Sequence, residues 1–132
     1  MKDPTELRFP DNVRYFEEHT WARQEGDLLA VGISDYAQDQ LGEIIFVDLP
    51  VPNQFVGKNE VFGVVESVKT ASDLYMPVSG DVVAVNPVLA DAPELVSTNP
   101  YTDGWMIKVK PAEESQLESL MTADGYRQML AQ

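Results

Sequence analysis

Turn-forming residues punctuate this chain about every ten positions, and that spacing limits most of it to short β-strands. Gly26-Asp27 separates Trp21-Ala22-Arg23 from the apolar run 28–33, and Pro50 and Pro52 close the β-rich run 43–49. Gly57-Lys58-Asn59 precedes residues 61–66, and a turn around residues 68–71 leads into Asp73-Leu74-Tyr75-Met76. Pro77, Ser79 and Gly80 then break the chain ahead of 82–86. In the last strand, 104–109, Trp105, Ile107 and Val109 alternate with Met106, Lys108 and Lys110. Such a series predicts a β sandwich or flattened barrel. Ser34 is placed as a helix N-cap, Tyr36, Ala37, Gln40 and Leu41 recur at helical spacing, and Gly42 is a C-terminal stop. Beyond Pro111, Leu117, Leu120 and Met121 share a helical face, and Thr122 caps a further helix carrying Tyr126, Met129 and Leu130. The expectation is one mainly β domain over 1–132. It has a short internal helix, C-terminal helices at 112–131 and a loose, Pro-punctuated arm at 1–11.

Composition narrows the function. Hydrophobic residues make up 44% and charged residues 23%, enough apolar material for a core. The longest apolar runs, such as Ile44-Ile45-Phe46-Val47, fall far short of the roughly 20 residues that cross a bilayer. The first residues lack the apolar stretch of a signal peptide, so a cytoplasmic location is expected. A net charge of −13 argues against nucleic acid and anionic membranes and favours basic partner surfaces. The absence of cysteine removes disulfides, thiolate zinc sites and cysteine nucleophiles. With His19 the single histidine, a two-histidine metal site is impossible.

The informative stretch is 61–80, which reads as strand, tight turn, strand and breaker. Lys69 falls in the turn, where its amine projects from a rigid hairpin tip with Glu66 and Asp73 flanking it in sequence. The segment Glu66-Ser67-Val68-Lys69-Thr70-Ala71-Ser72-Asp73-Leu74-Tyr75-Met76-Pro77-Val78-Ser79-Gly80 resembles the lipoyl-attachment motif of the H-protein family of the glycine cleavage system. The likeness continues through 32–38, 41–50, 86–89, 93–96 and 99–109, and His19 and Trp21 are similar to the family's early His-Glu-Trp.

The resemblance implies a lipoyl-domain-like barrel-sandwich hybrid and a non-catalytic carrier. Lipoate would be joined as an amide to Lys69 by a lipoate-attaching enzyme. The arm would take an aminomethyl group from glycine decarboxylase (P protein) to the tetrahydrofolate-dependent aminomethyltransferase (T protein). Dihydrolipoamide dehydrogenase (L protein) would reoxidise it. Glu66, Ser67, Asp73, His19 and Thr20 are the residues expected to support the hairpin or a cleft for the arm. Apolar walls there would hold the arm's methylenes, each worth about 0.8 kcal/mol when buried, and keep water from the cargo.

Three positions depart from the family. Thr20 stands where it has glutamate, Met76 replaces a small residue, and Gly57-Lys58-Asn59 replaces a lysine-glycine turn. Glu18 is a substitute acid for Thr20, but in a strand its side chain would point differently. His19 reads better as a packed residue than as a catalytic base, and Trp105 and Tyr101 better as core and corner residues than as a ligand cage. A biotin carrier is the nearest alternative, although its family places methionine on both sides of the lysine, where this chain has Val68 and Thr70. An unmodified interaction domain is another. A hydrolase built on His19 lacks any nucleophile elbow.

Overall fold

A computed structural model describes Lys2 and residues 4–132; Met1 and Asp3, within the expected arm, lie outside the described residues. A 3₁₀ turn at Pro4–Glu6 is followed by β1 (Arg14–Tyr15), β2 (Thr20–Glu25), β3 (Leu28–Ile33), α1 (Asp35–Leu41), β4 (Ile44–Asp48), β5 (Gln54–Val56), β6 (Val61–Ser67), β7 (Ala71–Tyr75) and β8 (Gly80–Val85). Then come a 3₁₀ turn at Pro87–Ala90, α2 (Leu95–Thr98), β9 (Ile107–Pro111), α3 (Ser115–Glu118) and α4 (Ala123–Leu130). The strands form a six-stranded sheet, ordered β1-β2-β3-β9-β8-β5, and a three-stranded sheet, β4-β6-β7. Every pairing is antiparallel. The mainly β sandwich with short helices matches expectation.

Strand alternation explains why 28–33 is apolar throughout. Leu29, Val31 and Ile33 face the three-stranded sheet, in a core shared with Val47, Val65, Leu74, Val82, Ile107 and Val109. Ala30 faces the other way, into a second cluster with Trp21, Tyr15, Tyr101 and Tyr126. This end of the large sheet is thus covered on both faces, and no polar position is left on β3. The same double cover alters the last strand. Met106 precedes β9 and is fully buried in the inter-sheet core with Ile107, whereas Trp105 is half-buried against the outer cluster. The expected simple alternation from Trp105 therefore begins only at Ile107.

The N-terminal segment is not loose from Leu7 onward, since Leu7 and Phe9 are buried in the outer cluster. Its backbone is tied down repeatedly, with Phe9 O also accepting from Arg127 Nη2 at 3.3 Å. Arg8 N donates to the buried Asp35 carboxylate (2.8 Å), Tyr101 Oη donates to Arg8 O (2.8 Å), and Tyr15 Oη donates to Pro10 O (2.7 Å). Apolar Leu7 and Phe9 alternate with polar neighbours over too few residues to register as a pattern.

α1 is the connection that carries the chain from the large sheet to the small one. Ser34 caps it, its Oγ accepting from Ala37 N at 3.1 Å, and Gly42 ends it at φ 82°, a left-handed turn that suits glycine. The helix therefore bridges the two sheets.

Candidate functional site

β6 and β7 pair from Val61↔Tyr75 to Glu66↔Ala71, leaving a short turn with Lys69 at its tip. Ser67 closes that turn from within. Its buried Oγ accepts from Lys69 N (3.1 Å) and Thr70 N (3.2 Å) and donates to Thr70 O (3.2 Å), while Ser67 N donates to Thr70 O (2.8 Å). One hydroxyl thus satisfies two backbone donors and stiffens the tip. Lys69 is exposed, and its stem passes over Gly42, where an added Cβ would meet Lys69 Cε at 3.4 Å.

Beside the hairpin lies a cavity of about 260 Å³. α1 supplies one wall with Tyr36, Ala37, Gln40 and Leu41, and Val65, Ser72, Asp73 and Leu74 of β6 and β7 supply another. Glu18, His19 and Thr20 close its far end. Of the expected support residues, His19, Thr20 and Asp73 come together here. Ser67 sits in the turn. Glu66 points to the outer face of the small sheet, on the row Phe46–Glu66–Ala71, and does not line the cavity. The α1 wall was not anticipated, because Tyr36, Ala37 and Leu41 have the spacing of any core-facing helix.

Glu18 and Thr20 line the same cavity, so the expectation that Glu18 points elsewhere fails: residues two apart share a face even in an extended chain. His19 adopts φ 74°, and the backbone turns there rather than running straight. Phe16 O accepts from His19 N (2.8 Å), and His19 O accepts from Ser34 N (3.0 Å), which holds that turn. Thr20 is buried, and its Oγ1 donates to Tyr75 O at 2.9 Å, tying β2 to β7 across the sandwich. Thr20→Val keeps the shape but strands that carbonyl. We expect it to cost about 1–3 kcal/mol, read as a lower urea midpoint with an unchanged slope.

His19 Nδ1 lies 2.7 Å from Tyr126 Oη, which also lies 2.8 Å from Ser34 Oγ, and the imidazole packs on Tyr36 with ring centres 5.0 Å apart. It is a packed residue, as its surroundings in the sequence suggested. Burial holds the imidazole below its ordinary 6.5, with the Glu18 carboxylate pulling the other way. The unfolded chain therefore takes up the proton first as pH falls. Stability drops through the window beneath 6.5 and levels off once the folded imidazole is protonated too. In His19→Gln that part of the pH dependence should vanish, which urea midpoints on either side of the window will check. Burial likewise pushes the Tyr126 hydroxyl up, so it remains a neutral donor.

Among the described residues no group of His, Asp and Glu is placed to hold a metal ion, and no helix is long and apolar enough to cross a membrane.

A two-sheet sandwich that presents a lysine on a closed hairpin, with a cleft alongside, has the architecture of a hairpin-lysine carrier domain. The comparisons make the family specific: the glycine cleavage H-protein family model matches residues 13–132. The chain is 53% identical to a glycine cleavage system H protein of Bacteroides fragilis, covering 92% of this chain and 96% of that one. It is 51% identical to one from Bacillus cereus, covering 96% and 99%. A crystal structure of a glycine cleavage system H protein from Mycobacterium marinum superposes with a TM-score of 0.86 at 35% identity, over 94% of this chain and all of the other. The chain belongs to the glycine cleavage H-protein family.

Proposed function

We propose that this chain is a non-catalytic lipoyl carrier of the glycine cleavage system, with lipoate joined as an amide to Lys69. The observation that carries the reading is the exposed Lys69 on a turn closed by Ser67, beside a partly apolar cleft. Attachment replaces one N–H of the Lys69 amine by a bond to the lipoyl carboxyl carbon, whose oxygen departs with its activating group. Held on Lys69, lipoate would supply a dithiolane able to accept an aminomethyl group from glycine decarboxylase and to release it to the aminomethyltransferase, with dihydrolipoamide dehydrogenase as the enzyme that would restore the disulfide.

This chain's residues then have two tasks. Lys69 presents the arm at high local concentration to each enzyme in turn. The cleft shelters it: Leu41, Val65 and Leu74 give apolar contact, and the α1 wall excludes water. Glu18 places a carboxylate at the cleft where an amino cargo would need an anion, which answers the loss of an acid at Thr20. No cationic side chain lines it.

Intact mass after treatment with a lipoate ligase tests the reading. A lipoyl-sized increment, absent from Lys69→Ala, is expected. A biotin-sized increment with a biotin ligase alone would favour the biotin carrier, and no increment with either would leave an unmodified interaction domain.

A further inference from the structure

The outer face of the small sheet carries an apolar patch that neither the core nor the cleft uses. β4 bulges between Ile44 and Phe46. Ile44 and Val47 point into the core, but the two successive residues between them, Ile45 and Phe46, are 52% and 51% exposed. In a regular strand one of those two would turn inward; the bulge leaves both facing out. Phe46 pairs with Glu66. Beyond Glu66 the chain turns Ser67 inward and Val68 outward, at 62% exposure. Val68 N donates to Glu43 O at 3.0 Å, which keeps the turn against β4. Ile45, Phe46 and Val68 thus gather on one face, next to Lys69. The exposed acids Glu43, Asp48 and Asp73 surround them. The cleft is on the other side of the hairpin, where Val65, Ser72 and Leu74 face it; Asp73, at its rim, stands in the row Asp48–Val64–Asp73 of the outer face.

We propose that this patch is where the enzyme that acylates Lys69 docks, through an apolar contact ringed by basic side chains. The proposal rests on Lys69 being the attachment lysine. Its position selects the occupant. An enzyme that forms a bond at Nζ must bring its active site within one lysine length of the hairpin, so its contact has to surround the tip. Enzymes that act on the far end of a long arm have no such need. Charge selects the rim, since four carboxylates around an apolar centre, in a chain of net charge −13, are complemented by lysine and arginine.

The test uses the unmodified full chain and a purified lipoate ligase, measuring Kd by calorimetry and KM and kcat for modification. Phe46→Ser with Val68→Ser should raise Kd and KM about ten-fold, with kcat within about two-fold, as expected when anchor residues are lost. Phe46→Leu should behave as wild type, and so should Phe55→Ser, which removes an equally exposed ring from the edge of the large sheet. Val68→Lys changes only a turn residue and should give the same rise if the double variant proves unstable. Kd and KM within about two-fold of wild type in both variants, or an equal effect of Phe55→Ser, would overturn the docking surface while leaving Lys69 as the modified lysine. A wild-type chain that takes no lipoyl group would remove both proposals.

Discussion

Lys69→Arg is expected to abolish glycine–bicarbonate exchange with glycine decarboxylase while leaving the fold unchanged. Arginine keeps the charge and much of the reach, but its guanidinium stays protonated at any accessible pH and forms no amide. The turn does not depend on the side chain, because Ser67 bonds the backbone of residue 69. Stability should therefore stay within about 0.5 kcal/mol of wild type, as for other exposed substitutions. The chain has four other lysines, and two of them are visibly occupied: Lys108 pairs with Glu25 at 3.0 Å, and Lys58 lies over the Phe16 ring. Exchange above background in Lys69→Arg, with a lipoyl-sized mass gain, would move the attachment to one of those four.

A large loss of stability is expected from Gly32→Ala. Gly32 pairs with Trp21 across β2 and β3, and a Cβ there would lie 2.8 Å from Trp21 Cζ2. The indole has nowhere to retreat. It is fully buried, its Nε1 donates to Ile33 O (2.9 Å) and to Pro100 O (3.1 Å), and the Arg23 guanidinium lies 5.0 Å from its ring centre. Overpacking of this kind costs about 1–3 kcal/mol or somewhat more, and here two hydrogen bonds are strained with it. Trp21→Leu alone should also destabilise, by a few kcal/mol for the lost ring contacts. In that background, however, Gly32→Ala should cost far less, because the atoms it would strike are gone. Urea unfolding of the two single variants and the double variant measures the coupling. Additive costs would show that the strand itself, and not the indole, demands glycine at residue 32.

Much of this architecture was legible in the sequence where the signal is local. Ser34, Gly42 and Thr122 mark helix ends through their own hydrogen bonds or dihedral angles, and those caps are in place. The strands flanking Lys69 announce themselves by β-branched and apolar residues between breakers. β1 and β5, with two and three residues, carry too little pattern to be seen. The order of the six-stranded sheet is set by long-range pairing that no window of sequence contains. The cleft was half legible. His19, Thr20 and Asp73 came from the family resemblance; Glu18 joins them as the period of two places it beside Thr20, and the α1 wall only because that helix bridges two sheets. Glu66 follows from strand parity once the register is known, and parity turns it away from the cleft.

The hydroxyl of Ser67 has a consequence for distance. With the turn locked, the tip is a fixed pivot and the flexible length begins at the Cβ of Lys69. The space that a group attached there would explore is then a shell whose radius is set by the arm alone, so each proposed partner enzyme would meet the same narrow range of reach. Loosening the pivot would enlarge that volume and thin the local concentration within it, even with every chemical group intact.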